Sequence, residues 1–160
     1  MKLQRTYTMH TEATNVRDPF YSRIAKHIRQ HGWRLQGVLG DEENFPFFYT
    51  IGNHQLGLPE LLLIGSYDNA DILNWVCDKL RRNACPFRDG ELIYGYTKLP
   101  LKSLNAGDEA KEQYTVQVGQ YYGTENYAVQ QIVIPDKSGR YPDDPKCDVP
   151  YCWIPLLRKT

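Results

Sequence analysis

The chain lacks a long apolar segment and an excess charge of either sign. Its longest apolar run covers residues 61–64, whereas a transmembrane helix needs roughly 20 apolar residues. The first residues have no apolar core of the kind found in signal peptides. Lys plus Arg and Asp plus Glu number 19 each, so no overall field favours nucleic acids in general or an anionic membrane. We therefore expect a cytoplasmic protein without membrane contact or general nucleic-acid binding.

Motifs that identify a reaction are also missing. There is no glycine-rich phosphate loop, no G-x-G-x-x-G, no G-x-S-x-G and no H-E-x-x-H. Their absence disfavours ATPases, Rossmann-type dehydrogenases and serine hydrolases. The four cysteines form no C-x-x-C pair, so we expect reduced thiols and no structural zinc. No cofactor is indicated.

The apolar pattern predicts short strands and amphipathic helices. Asp18 and Pro19 are suited to begin a helix, and Gly32 to end it. A second helix is predicted to begin at Asp68, and a third over residues 108–114. Residues 115–122 are compatible with helix or strand. Strands are predicted over residues 33–39, 45–51, 61–65, 91–99 and 127–134.

These elements indicate one α+β domain. The short connections between the first three strands favour an antiparallel meander. A chain of 160 residues is long enough for a single core. We predict a loose arm over residues 1–17, followed by one domain over residues 18–160. Its sheet is expected to be mainly antiparallel or a partly open barrel, with two to three flanking helices.

His54 is the first catalytic candidate, because it interrupts two apolar runs in residues 45–65, FPFFYTIGNHQLGLPELLLIG. A loop histidine suits acid–base chemistry, although a surface hydrogen bond would equally explain it. His31 and Tyr49 are candidate partners. His27 and His31 share a helix face, but a role for His31 at the helix C-terminus is favoured over metal binding. We predict no metal site.

Residues 136–141, DKSGRY, form the strongest candidate anion site. The turn at Ser138 and Gly139 can expose backbone N–H groups, and Lys137 and Arg140 add donors suited to phosphate. In the alternative interpretation, the turn is solvated and Arg140 pairs with Asp136 or Asp144. Both interpretations are open on the sequence.

Tyrosine is unusually abundant, with twelve residues. Its ring and hydroxyl suit a core position or a surface that stacks on a planar ligand. Tyr122 precedes a glycine and is expected to be exposed for stacking. The predicted ligand-binding set is completed by Tyr141 in the late loop and Thr50 at the end of a strand.

Several segments together resemble the bacterial and phage family known as domain of unknown function 4262. They are HGW at 31–33, FFYTIG at 47–52, LPELLLIG at 58–65 and QQIVIPDKSGRYPDDP at 130–145. The resemblance covers residues 31–145. Leu58 stands where the family commonly has histidine, so no histidine role is carried over there. The family resemblance implies no activity.

The sequence favours a protein that binds a small, phosphorylated, nucleotide-like ligand and has the capacity to form a homo-oligomer. It would sequester the ligand or cleave it as a metal-independent phosphodiesterase. Two alternatives are open. One is a flavin-binding protein, since the strand order is loosely similar to split-barrel flavin domains. The other is a protein-interaction or immunity-type module without a small ligand.

Overall fold

The computed structural model describes residues 18–65 and 70–159. Six strands form one open sheet: β1 (Arg34–Val38), β2 (Phe47–Ile51), β3 (Glu60–Ile64), β4 (Leu92–Ile93), β5 (Leu101–Asn105) and β6 (Val129–Val133). Their order is β1-β2-β3-β6-β5-β4. Neighbouring strands are antiparallel, except β3 and β6, which run parallel at the centre.

The described residues form four α-helices: α1 (Pro19–His31), α2 (Ala70–Asn83), α3 (Asp108–Gln113) and α4 (Val116–Tyr122). The Asp18 carboxylate accepts a 2.8 Å hydrogen bond from the Phe20 amide, which caps α1. Gly32 ends this helix with φ +95°, a conformation that favours glycine. Across the described ranges, every helix is too short or too polar to cross a membrane.

The sheet separates two apolar cores. Side chains of α1 and α4 pack with Tyr49, Ile51 and Leu62 on one face. On the other face, Leu73, Val76 and Leu80 of α2 pack against further residues of β3. All five residues of β3 and all five of β6 are buried, because both strands are covered on two sides.

The α+β prediction is confirmed, and so is the antiparallel order of β1, β2 and β3. Of the two sheet forms expected, the described residues form an open sheet. Residues 115–122, whose sequence is compatible with helix or strand, contain the helix α4. The helix number exceeds the expected two to three because residues 108–122 form two short helices. The first helix agrees with its expected position.

The strand predicted over residues 91–99 is wrong, because only Leu92 and Ile93 pair with β5. Gly95, with φ +117°, turns the chain away from the sheet. The expected exposure of Tyr122 is also wrong: its side chain is 2% exposed, packed in the core beneath α1. The predicted arm over residues 1–17 and the predicted cap Asp68 lie outside the described residues.

Candidate functional site

A buried carboxylate, Glu60, organises the turn between β2 and β3. Glu60 is 0% exposed. Its Oε1 accepts hydrogen bonds from the Thr50 hydroxyl at 2.8 Å and the Asn53 amide at 3.2 Å. Its Oε2 accepts from the amides of Gly52 and His54, at 3.1 Å and 3.0 Å, and from the Tyr122 hydroxyl at 2.7 Å. None of these five donors is a cation.

Each hydroxyl around Glu60 is oriented by a second bond. The Tyr122 oxygen accepts the Gly52 amide at 2.8 Å, so its proton is directed at the carboxylate. The Thr50 oxygen accepts the Leu61 amide at 2.8 Å. Burial raises the pKa of the Glu60 carboxyl, and the hydrogen bonds from Tyr122 and the other donors oppose that rise. The arrangement holds residues 52–54 in one conformation.

The cluster around Glu60 extends through Asn53 to α2 and to Trp33, the residue before β1. The Asn53 side chain donates to the Pro59 carbonyl at 3.1 Å and accepts from Arg81 Nη1 at 2.7 Å. The Arg81 guanidinium in turn lies 5.0 Å from the centre of the Trp33 ring, a cation–π distance. The β2–β3 turn is therefore held by hydrogen bonds to Glu60, to the Pro59 carbonyl and to Arg81 of α2.

His54, at the end of this fixed turn, lines an open cleft of about 910 Å³. Its ring lies edge-on to Tyr122, with 4.9 Å between ring centres, and 6.4 Å from the centre of Tyr127. The cleft lies beside the first residues of β3 and β6, because parallel pairing places Glu60 opposite Val129 at the same sheet end. Ligand pockets commonly have volumes of 300–1,000 Å³.

Two lysines converge on the cleft. Lys111 of α3 lies 4.8 Å from the centre of the Tyr127 ring and donates a 2.6 Å hydrogen bond to the Glu125 carbonyl. Burial lowers the pKa of Lys111; Lys159 lowers it further, while Asp108 and Glu125 act in the opposite direction. Lys159 and Asp108 also line the cleft. The rim thus carries two cations and one carboxylate.

Amide side chains supply neutral polar groups to the same cleft. Asn126 and Gln55 line it, and Gln55 Nε2 is buried without a hydrogen-bond partner among the described residues. Gln130 is already engaged, because it donates to the Phe87 carbonyl at 2.6 Å and to Asn105 at 3.0 Å. Gln55 Nε2 is therefore an unsatisfied buried donor beside the cleft.

The structure groups some predicted site residues and separates others. Thr50 and Tyr122 meet His54 around Glu60. Tyr49 lies in the core, where its hydroxyl donates to Gln117, and burial raises its pKa. His31 is exposed at the end of α1, with its ring 4.5 Å from that of His27. Neither lines the cleft around His54.

The loop predicted to bind anions is closed on itself by Asp136. Oδ1 of Asp136 accepts from the amides of Ser138 and Arg140, both at 2.8 Å. The Gly139 amide donates to the Asp136 carbonyl at 3.0 Å. The Ser138, Gly139 and Arg140 amides therefore have intramolecular partners. Lys137 is exposed and borders a separate, smaller cleft of about 360 Å³.

Two further members of this predicted set are bound to neighbouring segments. Arg140 Nη1 donates weakly to the Lys146 carbonyl at 3.4 Å, and no ion pair with Asp136 or Asp144 is present among the described residues. The Tyr141 hydroxyl donates to the Pro100 carbonyl at 2.7 Å. This loop follows the end of β6, whereas His54 lies near its start. His54 and this loop therefore line two different clefts, at opposite ends of β6, and the five residues of the strand separate those ends by about 15 Å.

We expect Asp136→Asn to destabilise the protein at neutral pH and to flatten its acid unfolding. Burial alone would raise the pKa of Asp136, but hydrogen bonds from the Arg140, Asp148 and Ser138 amides outweigh it, and the net pKa lies below the ordinary 3.8. Such a carboxylate stabilises the fold above its unfolded pKa, and that stability is lost as pH falls through the folded pKa.

Thermal melts across an acidic pH series measure this effect. Below pH 3.8, the melting temperature of the wild type should fall more steeply than that of the variant. Glu42→Gln, at an exposed position, is the control. Parallel curves for the wild type and Asp136→Asn would contradict the role assigned to Asp136.

The sequence prediction missed Glu60, Lys111 and Lys159 as site residues. For Glu60 a signal existed, since an acidic residue begins an otherwise apolar strand, ELLLI, and buried carboxylates require dedicated donors. The two lysines carry no local signal. Arg158 pairs with Ala106, just after β5, in an isolated β-bridge. This pairing brings Lys159 to the cleft that Lys111 of α3 also lines. Among the described residues, no group of three potential metal ligands is present.

Comparison with known proteins gives one match. The family model described as "Domain of unknown function (DUF4262)" matches residues 27–148. No curated protein and no solved structure matches the chain. The match includes the β2–β3 turn, α3 and the residue 136–141 loop, and it leaves Lys159 outside.

Proposed function

The chain belongs to the DUF4262 family, whose description names no activity, and from its cleft we propose that it binds a phosphorylated, nucleotide-like small molecule. One observation carries this proposal: Lys111, Lys159 and His54 line a single open cleft beside a rigid turn. Two ammonium groups in one cleft suit an anionic group better than a neutral ligand.

Lys111 is positioned to contact a phosphate. Its ammonium has three donors, and its bond to Glu125 leaves two of them for the ligand. Lys159 is exposed at the same cleft and supplies the second charge. A phosphate contacted by both ammonium groups forms charge-assisted hydrogen bonds, which are about twice as strong as neutral ones.

The other polar groups of the cleft favour a ligand that carries more than a phosphate. The carboxylate of Asp108 would accept a hydroxyl, such as that of a ribose. The side-chain amides of Gln55 and Asn126 would form hydrogen bonds with donors and acceptors on the edge of a base. Stacking by Tyr122 is not part of this proposal, because its ring is buried. His54 recognises the ligand, or supplies an acid or base for its cleavage.

Calorimetric titration with nucleoside monophosphates, cyclic dinucleotides and inorganic phosphate tests the proposal. We expect Lys111→Met to weaken binding of the best nucleotide about 10- to 100-fold. Hydrogen bonds to charged groups contribute about 1.5–3 kcal/mol, and about 1.4 kcal/mol corresponds to tenfold in affinity. Lys159→Met should have the same direction and a smaller effect, because this side chain is exposed.

Two control variants separate this cleft from other positive surfaces. Lys26→Met removes an exposed lysine of α1, remote from the cleft, and should leave affinity unchanged. Lys137→Met tests the loop over residues 136–141. A loss confined to Lys137→Met would place the ligand at that loop and refute the cleft, and no binding by any phosphorylated probe would refute the function.

Product analysis distinguishes sequestration from turnover. The bound nucleotide is incubated with the wild type and with His54→Ala, and the products are separated by chromatography. Unchanged ligand with both proteins supports sequestration. A cleavage product that forms with the wild type and disappears with His54→Ala identifies a phosphodiesterase. An absorbance spectrum of the purified protein tests the flavin alternative, which would give a visible flavin band.

A further inference from the structure

An aromatic and basic surface surrounds the edge of the sheet at β4, remote from the cleft that contains His54. Tyr94 and Tyr96 follow this strand and are 64% and 47% exposed, values that are unusual for two large rings in adjacent turns of chain. With three neighbouring side chains and Trp75, they form what we call the β4-edge surface: Trp75, Tyr94, Tyr96, Lys79, Lys98 and Lys102.

One part of the β4-edge surface lies beside α2. The rings of Trp75 and Tyr96 are 5.4 Å apart between centres, and Lys79 Nζ lies 5.5 Å from the Trp75 ring. Gly95 lies between the two tyrosines against the Trp75 ring, where a Cβ would be in ordinary contact at 3.4 Å, and its φ of +117° favours glycine. Two aromatic rings and an ammonium group thus share one patch.

The second part continues on the other side of the sheet edge. Lys102 Nζ lies 4.1 Å from the centre of the Tyr141 ring. The Tyr141 hydroxyl donates to the Pro100 carbonyl, which holds its ring beside the segment that follows Tyr96. Leu92, opposite Lys102 in the ladder, is 38% exposed. Lys98 is exposed in the segment that joins the two parts.

The charge of this surface is uncompensated among the residues that the structure describes. Lys79, Lys98 and Lys102 form no ion pair with a described carboxylate, whereas the nearby Asp78 pairs with Arg82 at 2.8 Å. These three ammonium groups are therefore available to an anionic partner, although the chain has equal numbers of acidic and basic residues. Such a surface attracts polyanions even when net charge is zero.

A second copy of the chain is a poor partner for this surface. In a two-fold symmetric dimer the same patch is present on both sides, so one interface would collect the lysines of both copies with no carboxylate of the patch to pair with them, and like charges in an interface cost several kcal/mol. Strand addition is disfavoured as well, because β4 has only two residues and offers few backbone hydrogen bonds. An anionic partner with flat groups satisfies both the charges and the rings.

We propose that the β4-edge surface binds single-stranded nucleic acid, with bases stacked on Tyr94 and Tyr96 and the phosphates near Lys79, Lys98 and Lys102. Exposed rings interspersed with cations are the usual means of binding single strands without sequence preference. This site is separate from the cleft and does not depend on the function proposed there. An acidic protein would match the charges but leave the exposed ring faces without partners.

Fluorescence anisotropy with a labelled oligothymidylate of about 15 nucleotides tests the proposal. We expect binding at low salt that weakens as salt rises, with a slope of log affinity against log salt of about −2 for three contacted phosphates. The double variant Tyr94→Ser with Tyr96→Ser should lose at least about 30-fold in affinity, because two stacked bases contribute at least about 2 kcal/mol together and about 1.4 kcal/mol is tenfold.

Matched variants distinguish stacking from charge. Lys98→Gln with Lys102→Gln should reduce the salt slope, whereas Trp153→Ser, which removes a ring that is 64% exposed elsewhere, and Lys26→Gln should bind as the wild type does. Circular dichroism verifies that each variant is folded. No binding by the wild type, equal losses in the control variants, or equal binding of poly-glutamate of the same length would overturn the proposal.

Discussion

Replacing Glu60 by Gln should lower the free energy of unfolding by about 2–4 kcal/mol. Oε1 of Glu60 accepts two hydrogen bonds and Oε2 accepts three. An amide nitrogen in either place cannot accept, so at least two buried donors lose their acceptor, at about 1–3 kcal/mol each. Removal of the buried charge returns part of that loss.

Urea denaturation monitored by tryptophan fluorescence measures this change. Glu112→Gln makes the same chemical substitution at an exposed position of α3 and should shift the midpoint little. Tyr122→Phe removes one of the five donors and should cost less than Glu60→Gln. If Glu60→Gln unfolds at the wild-type urea concentration, the carboxylate does not hold the turn and its five hydrogen bonds carry no net stability.

Replacing Gly52 by Ala should cost about 2–4 kcal/mol by a different mechanism. Gly52 has φ +127°, and a Cβ would lie 2.9 Å from the Gly32 carbonyl oxygen and 3.0 Å from Trp33 Cα. Both obstacles are backbone atoms, so the methyl group forces apart the junction of α1 with β1 and the β2–β3 turn. A strained conformation of this kind typically costs 1–3 kcal/mol, and the steric contact adds to it.

Gly57 provides a matched control in the same turn. It also has a positive φ, +74°, but an added Cβ would meet nothing within 4 Å. Gly57→Ala should therefore cost only about 1 kcal/mol, the penalty for the left-handed conformation. Equal losses of stability for the two variants in urea denaturation would show that backbone conformation alone, without the contact to residues 32 and 33, explains the requirement for glycine.

Local patterns predicted those elements whose signals are contained within a few residues. The cap at Asp18 and the stop at Gly32 are local, and both are confirmed. The prediction of a strand over residues 91–99 was wrong. The alternation of apolar residues does not reveal that the chain turns away from the sheet at Gly95, or that only Leu92 and Ile93 pair with β5. Pairing is a property of the sheet and not of the segment.

The candidate site was less predictable because its residues come from distant parts of the chain. His54 and Thr50 belong to one turn and were identified there, but Tyr122 reaches Glu60 across 62 positions of sequence. A glycine beside Tyr122 suggested exposure, whereas packing of α4 against the sheet buries its ring. The sequence of residues 136–141 does not reveal that the Asp136 carboxylate accepts hydrogen bonds from amides of its own loop.

The single parallel pair in the sheet also determines how the cleft is assembled. Strands β1, β2 and β3 form one antiparallel group and strands β4, β5 and β6 form another, and within the described sheet the two groups pair through the β3–β6 ladder. His54 belongs to the first group, while Lys111 and Asn126 lie between strands of the second. A ligand that contacts both groups would therefore bridge the β1–β3 part and the β4–β6 part of the sheet. Its binding energy would add to the stability of that junction.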